Sequence, residues 1–245
     1  MSGAWAAVYL REILILRRRL FRQVLSWSVA PLLYLVAFGY GMGRHVHVQG
    51  SDYLEFLIPG LAAMTSMTQA FAIGSEINIA RFYWHIFEEF QAAPISHVDY
   101  VLGEVLAGVT RAMLAGLVII GLGALFGVFL SYNILFWAAF ILNSLVFSGL
   151  AVALAMLVKS HADQAFMSNF IITPMAFLGG TFFPLAHLPV WAQKMLQFLP
   201  ITHATSAMRE AAFGRTPDAF PYVLLAFLGA ACFMMAVFTV DRARD

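Results

Sequence analysis

Runs of about 20 apolar residues, each long enough to cross a lipid bilayer, recur along this 245-residue chain. Hydrophobic residues make up 62% of the sequence and charged residues 11%, whereas a soluble domain usually carries about 25% charged residues. Because this composition cannot build a water-facing surface of ordinary size, the apolar residues must face lipid. We therefore predict an all-α integral membrane bundle of six transmembrane helices. The predicted spans are residues 25–42, 53–78, 102–130, 135–158, 164–183 and 220–240.

The basic residues are distributed unequally between the two sides that these spans create. Lysine and arginine accumulate in the cytoplasmic loops of multi-pass proteins. We therefore expect both termini to be cytoplasmic, and residues 1–245 to form a single domain. The cytoplasmic set comprises Arg11, Arg17, Arg18, Arg19, Arg22, Arg81, Lys159, Arg242 and Arg244.

Residues 4–22, ahead of the first span, combine apolar and basic positions. Trp5, Val8 and Ile13 can share one face of a helix, with arginines elsewhere, and such a helix lies at the membrane interface near anionic lipid headgroups. A basic segment that only sets topology has the same composition, and the two interpretations are compatible. The arginines of this predicted interfacial helix are Arg11, Arg17, Arg18, Arg19 and Arg22.

A short aromatic and acidic segment, residues 81–92, lies between the second and third predicted spans. Its aromatic residues recur at helical spacing, two carboxylates follow, and Pro94 ends the helix. A bulky acidic helix of this kind fits a groove on another protein, or else it is an interfacial helix anchored by its aromatic residues. The candidate contact residues are Arg81, Phe82, Trp84, His85, Phe87, Glu88, Glu89 and Gln91.

A second distinctive segment, residues 179–200, follows the fifth predicted span. A glycine pair and Pro184 end that span, and non-helical backbone at membrane depth persists only where protein or a watery cavity shields it. We predict a re-entrant cap at the outer face, with a short helix over residues 188–198. An outer loop lying on the headgroups is the alternative. The candidate gate residues are Gly179, Gly180, Phe182, Phe183, Pro184, Leu188, Pro189 and Trp191.

Arg111 lies within the third predicted span. A charge at the centre of a span costs about 2.5–3.5 kcal/mol on insertion scales, so this side chain should avoid lipid. The candidate partners are Glu76, Glu104 and Asp163. Either Arg111 lines an inner vestibule and meets an anionic part of a cargo, or it snorkels or forms a structural ion pair.

The sequence contains no arrangement typical of an enzyme. It has no Gly-Lys-Ser/Thr phosphate-binding loop, and Gly121, Gly123 and Gly127 have the wrong spacing for a dinucleotide loop. His45 and His47 alone make an incomplete metal site, and the net charge of +1 indicates no nucleic-acid partner. We expect a non-catalytic chain without a metal or a cofactor of its own.

Taken together, these segments resemble the membrane subunit of type-two ABC exporters, a family of bacterial drug, lipo-oligosaccharide and polysaccharide exporters. The resemblance covers essentially the whole chain, including the basic start and the six spans. Three motifs carry it: Glu-Glu-Phe-x-x-x-Pro-Ile-Ser at residues 88–96, Gly-Gly-Thr-Phe-Phe-Pro-Leu-x-x-Leu-Pro-x-Trp at residues 179–191, and Leu-Pro-Ile-Thr-His at residues 199–203, which Arg209 follows.

The resemblance implies roles for these segments. Residues 81–92 correspond to the coupling helix, which docks on a separate ATP-binding cassette subunit that holds ATP and Mg. Two copies of this chain form the path, served by two such subunits, in the bacterial inner membrane. Residues 4–22 correspond to the interfacial elbow, and residues 179–200 to a re-entrant pair of short outer helices. The chain departs from the family pattern at Tyr83, Trp84 and His85, where basic and small residues are frequent.

The implied function is ATP-driven export by alternating access. The 23 phenylalanines suit a hydrophobic or amphipathic cargo, or sugar rings that stack on aromatic residues. A lipid-linked glycan or lipo-oligosaccharide is the alternative cargo. An ATP-independent channel or membrane receptor is an alternative of another class. An intramembrane enzyme is a third, against which the lack of a clustered catalytic group argues.

Overall fold

The computed structural model describes residues 3–41, 47–48, 51–84, 86 and 93–243. Almost all of them are helical, and the predicted all-α class is confirmed. The helices are α1 (Ala4–Tyr34), α2 (Tyr53–Phe71), α3 (Ile73–Phe82), α4 (His97–Leu125), α5 (Ile134–Leu157), α6 (His161–Met167), α7 (Thr173–Leu178), α8 (Val190–Leu196), α9 (Pro200–Ala212) and α10 (Ala219–Arg242). Wide π-helical turns continue α1 over Leu35–Tyr40 and join α6 to α7 over Ser168–Ile172, and a 3-10 turn covers Leu185–His187. The two-residue strands β1 (His47–Val48) and β2 (Ser51–Asp52) pair antiparallel.

Five stretches in the described part of the chain are long and apolar enough to cross a membrane. They are Ala4–Gly39, Tyr53–Phe82, His97–Leu125, Ile134–Leu157 and Ala219–Arg242. The predicted fifth span, residues 164–183, is not among them, because polar residues such as Gln164 and Asn169 dilute its apolar character. The helical run there ends at Leu178, directly before the glycine pair. The sixth crossing therefore stays a prediction.

Polar caps fix where two of the long helices begin. The Ser96 hydroxyl accepts a hydrogen bond from the Asp99 N–H (3.1 Å) at the start of α4. The Asn133 side chain accepts one from the Phe136 N–H (3.0 Å) at the start of α5. Because the first N–H groups of a helix have no intrahelical partner, these side chains supply one and stabilise the helix start.

Both ends of the described chain meet at one end of the bundle. The Trp5 N–H donates to the Asp99 carboxylate (3.4 Å). His97 Nδ1 lies 3.0 Å from Asp241 Oδ1. The starts of α1 and α4 and the finish of α10 are thus neighbours. We call this the terminal end, and we call the other end, where α4 finishes and α2 begins, the distal end.

Helix α2 lies at the centre of the bundle. Of its apolar span, 83% is buried, against 17% for α1, so α1 presents most of its surface to the surroundings. Helices α4, α5 and α9 pack around α2. One of these contacts is polar, because the Asn143 amide donates to the Ser66 hydroxyl (2.6 Å), and both residues are fully buried. Such hydrogen bonds between helices stabilise packing where lipid offers no hydrophobic driving force.

A single helix, α1, covers both the predicted interfacial helix, residues 4–22, and most of the first predicted span. No glycine or proline stands between Arg22 and Leu25 to interrupt it. Its first turns pack closely on α4, since a Cβ atom at Gly103 would lie 2.6 Å from Val8 Cβ. The interfacial location of residues 4–22 stays a prediction.

The segment after the glycine pair holds two helices. Helix α8 lies within the predicted short helix, residues 188–198. Helix α9 was not predicted, and it buries one face against α5 and α2 at the distal end. Ile201, Ala204 and Met208 are fully buried on that face.

Candidate functional site

An ion pair joins α4 to α3. The Arg111 guanidinium donates to the Glu76 carboxylate, and its other terminal nitrogen donates to Gln23 Oε1 of α1 (3.2 Å). The guanidinium carbon also lies 6.0 Å from the centre of the Trp27 ring. Arg111 thus holds three helices together. Glu76 is the predicted partner of Arg111 with which the structure shows an ion pair.

Two further acidic residues lie near this ion pair. Glu104 is 1% exposed, and its Oε2 atom has no hydrogen-bond partner among the residues that the structure describes. Glu12 of α1 is also buried and accepts a hydrogen bond from Arg11 (2.7 Å). Glu12 was not among the predicted site residues, although an acidic residue within a basic helix is a visible signal.

A cavity of about 190 Å³ connects these charges to the start of the predicted coupling segment. Its lining comprises Arg11, Glu12, Ile15, Arg19, Glu76, Ile79 and Trp84. Residues from the predicted interfacial helix, the predicted ion pair and the predicted coupling segment therefore meet in one place.

Asp163 lies apart from this cluster. It is exposed in the first turn of α6, where its N–H bonds to the Ser160 hydroxyl (3.2 Å). The next residue, Gln164, is fully buried and accepts a hydrogen bond from the Asn78 amide (3.1 Å). This polar contact holds α6 to α3, and sequence reasoning missed it.

Only the start of the predicted coupling helix is described. Arg81 donates to the Ala155 and Met156 carbonyls (3.0 Å each) and so caps the last turn of α5. Phe82 lies 5.2 Å below the Arg81 guanidinium, and the Trp84 side chain is half exposed. The predicted contact residues His85, Phe87, Glu88, Glu89 and Gln91 lie outside the described residues.

The arginines of the predicted interfacial helix divide by exposure. Arg17, Arg18, Arg19 and Arg22 are exposed, whereas Arg11 is half-buried by its contact with Glu12. The exposed set can meet water or lipid phosphates.

At the distal end, the loop that follows α7 is fastened to α2. The Tyr53 hydroxyl donates to the Phe182 carbonyl (2.7 Å), and this contact is buried. Gly60 allows the loop to come close, since a Cβ atom there would lie 2.6 Å from the Thr181 carbonyl oxygen. Gly180 adopts a φ of +79°, a left-handed conformation that glycine tolerates. These contacts hold residues 180–182 of the predicted gate segment against α2.

Arg209 of α9 fastens the same loop from the other side. Its Nη2 donates to the Gly180 carbonyl (2.8 Å), its Nε donates to the Phe56 carbonyl (3.3 Å), and its guanidinium carbon lies 3.7 Å from the centre of the Phe56 ring. Burial lowers the pKa of Arg209 to about 9, so the side chain is still charged at neutral pH.

The remaining predicted gate residues separate into buried and exposed groups. Phe182 packs among Tyr34, Phe38 and Phe177, with ring centres 5.0–5.5 Å apart. This aromatic cluster joins the loop to the far end of α1 and to α7. Gly179, Gly180 and Pro184 are buried, Phe183 and Leu188 are half-buried, and Pro189 and Trp191 are exposed.

Comparison with known proteins identifies the class to which these features belong. The family model described as "ABC-2 type transporter" matches residues 4–213. The chain belongs to this family, and the predicted family resemblance is confirmed. The match covers the described helices from α1 to α9, including the ion pair and the distal loop.

Several named proteins are similar to this chain over most of its length. Nodulation protein J of Rhizobium meliloti is 31% identical over 213 residues, which cover 86% of this chain and 81% of the relative. Nodulation protein J of Azorhizobium caulinodans is 29% identical over 92% of this chain and 91% of its own length. The inner membrane transport permease YadH of Escherichia coli K12 is 27% identical over 86% of this chain and 83% of its own length. This chain is therefore a transport permease with transmembrane helices.

Proposed function

We propose that this chain is the non-catalytic transmembrane subunit of an ATP-driven exporter. It moves a hydrophobic or amphipathic substrate out of the cytoplasm or the inner leaflet. Two copies pair to form the path, and two ATP-binding cassette subunits bind ATP and Mg. The observation that carries the proposal is the family match over residues 4–213.

The position of the predicted coupling segment supports docking of the ATPase at the terminal end. Helix α3 finishes at Phe82 and α4 starts at His97, so the two helix ends that flank the predicted coupling segment both lie at the terminal end. The exposed arginines of α1 cluster toward the same end, and basic residues favour the cytoplasmic side. We therefore propose that the terminal end is cytoplasmic.

The path of the chain supports a sixth crossing. Gln164 contacts Asn78 close to the terminal end. Phe177 contacts Tyr34 at the far end of α1, with ring centres 6.3 Å apart. We propose that α6, the π-helical turn and α7 together form this crossing, and that α8 and α9 are the outer re-entrant elements.

The name of one relative supports a location in the bacterial inner membrane. YadH is named as an inner membrane transport permease, and we propose the same bacterial membrane for this chain. The proposed mechanism is conformational. ATP binding closes the partner subunits, the coupling helices move with them, and the paired bundles change from inward-open to outward-open.

Purification of the tagged chain from its native membrane tests the proposal. We expect an ATP-binding cassette subunit to co-purify, with native mass spectrometry giving two copies of each chain. After reconstitution in liposomes, ATP should drive movement of fluorescent amphiphiles. A complex that moves these amphiphiles without any ATP-binding subunit would instead identify an ATP-independent channel and refute the proposal.

A further inference from the structure

A cavity of about 190 Å³ lies at the distal end, separate from the ionic cluster around Arg111. It lies between α2, the loop after α7, and α9. Glycine and proline backbone of the loop forms one wall. The polar side chains in its lining are Arg209, Thr202, Thr205 and Ser206.

Two hydroxyl groups in this lining have no hydrogen-bond partner among the described residues. Thr205 is 1% exposed and Thr202 is 6% exposed. Neither Oγ1 atom makes a hydrogen bond to the part of the protein that the structure describes. A buried polar group without a partner costs free energy, and each such group calls for an explanation, for example a bound molecule.

The cation in this lining is also incompletely satisfied. The two hydrogen bonds of Arg209 go to neutral carbonyls, those of Phe56 and Gly180. Across the described residues, no carboxylate forms an ion pair with it. Since a guanidinium carries five N–H groups, Arg209 has donors left for another acceptor. A positive charge beside unpartnered hydroxyls favours an anionic ligand that is rich in oxygen.

We propose that this cavity binds a phosphate group. Arginine matches the geometry of phosphate oxygens with parallel hydrogen bonds, and both threonine hydroxyls can donate to the same anion. The volume exceeds the roughly 30 Å³ share of one water molecule several-fold, which leaves room for a phosphate and a few waters.

The phosphate belongs either to a free anion or to a lipid headgroup. A neighbouring cavity of about 300 Å³ shares Ser206 and Arg209 and adds Glu210, Phe213 and Arg215. A phosphate bound at Arg209 can therefore carry a larger substituent that extends toward Arg215. The site is independent of ATP-driven transport and is testable in the isolated chain.

The test uses the full chain in nanodiscs of digalactosyldiacylglycerol, a neutral lipid without phosphate, titrated with inorganic phosphate at constant ionic strength. We expect a saturable rise in the unfolding temperature, because a ligand that binds only the folded state stabilises it. Replacing one donor to a charged ligand should weaken phosphate binding about tenfold. The Thr202→Val and Thr205→Val variants should each show this loss and should fold, since each removes only an unpartnered hydroxyl.

Thr181→Val is the matched control. Thr181 is fully buried and its hydroxyl is likewise unpartnered, but it is not part of the cavity lining. Its replacement should leave phosphate binding unchanged. If the Thr181 variant loses phosphate binding to the same extent as the other two, the cavity is not the site.

Nanodiscs that contain phosphatidylglycerol separate the two sources. If the ligand is a lipid headgroup, these nanodiscs stabilise the native chain, free phosphate adds nothing, and the Thr202→Val/Thr205→Val double variant loses the lipid effect. If the ligand is a free anion, phosphate acts in both lipids. The proposal is overturned if neither probe changes the unfolding temperature, or if both act equally on the native chain and the double variant.

Discussion

The Arg111 guanidinium of α4 pairs with the Glu76 carboxylate of α3. The Arg111 side chain is only 11% exposed and that of Glu76 is 32% exposed. Breaking a buried ion pair at one residue leaves the other charge uncompensated. A neutral replacement at one of the two residues should therefore destabilise the protein more than neutral replacements at both.

Arg111→Gln should lower the free energy of unfolding by about 2 kcal/mol, since it removes a charge-assisted hydrogen bond and leaves Glu76 alone. Adding Glu76→Gln should restore most of the loss. Adding Asp163→Asn should restore nothing, because Asp163 lies elsewhere. Thermal unfolding in detergent measures all three. A variant of Arg111 that folds normally but loses export of anionic cargo would instead place this residue on the transport path.

The Glu88→Lys/Glu89→Lys variant should separate ATP hydrolysis from transport, because like charges at a docked interface are costly. ATPase activity and transport are measured in the reconstituted complex. The neutral Gln pair should show a smaller defect. Asp218→Lys, an exposed position at the distal end, should have no effect. Normal assembly, hydrolysis and export by the doubly reversed variant would contradict the docking role.

Tyr53→Phe should destabilise the protein by about 1–2 kcal/mol, since it leaves the buried Phe182 carbonyl without its donor. Hydrogen exchange should rise in the loop of residues 179–184. The control is Tyr222→Phe, which removes an exposed hydrogen bond to Leu135 (3.1 Å) and should change stability by less than about 0.5 kcal/mol. Equal effects at the two positions would show that the loop is not fastened by Tyr53.

Two glycine replacements should act in opposite directions. Gly60→Ala places a methyl group against the Thr181 backbone and should cost about 1–3 kcal/mol. Gly121→Ala meets nothing within 4 Å and should stabilise α4 by about 0.5–1 kcal/mol, since alanine favours the helix. Thermal unfolding compares them. Stabilisation by both would disprove the close approach of loop and helix.

The chain should pair through the first and fifth predicted spans, because a single bundle can hardly enclose a transport path and two copies must meet side by side to form one. Val29 and Phe170 are 57% and 71% exposed. In a Cys232→Ala background, Val29→Cys combined with Phe170→Cys should give crosslinked dimers in membranes. Val223→Cys on α10 is similarly exposed, at 66%, and should stay monomeric. A strictly monomeric active complex would refute pairing.

The sequence predicted best the elements whose limits depend on local chemistry. The predicted span 135–158 differs from α5 by one residue at each end, because Asn133 caps it and its apolar run is uninterrupted. The span 220–240 falls within α10. Length and hydropathy are enough in such cases.

Elements that depend on tertiary contacts were missed or left open. Helix α9 contains Thr202, His203 and Glu210, and it lies in a stretch, residues 184–217, that is too polar to be predicted as a membrane span. Its buried face packs against α5, α2 and α10, which follow from the tertiary fold and not from the local sequence. Likewise, the sequence offered Glu76, Glu104 and Asp163 as candidate partners of Arg111, and the packing of α3 beside α4 selects Glu76.

The unbroken course of α1 has a mechanical consequence. From Trp5 to Tyr34 it is a rod about 44 Å long at 1.5 Å per residue. At its first turn, the base of the rod, Trp5 hydrogen-bonds to Asp99. In its middle, Gln23 accepts a hydrogen bond from Arg111. At its last turn, the tip, the Tyr34 ring contacts the Phe182 ring. A tilt of this rod displaces its base and tip in opposite directions, so a push at the terminal end arrives at the distal loop, and Pro31, close to the tip, is the interior position where the helix lacks a backbone N–H and can bend.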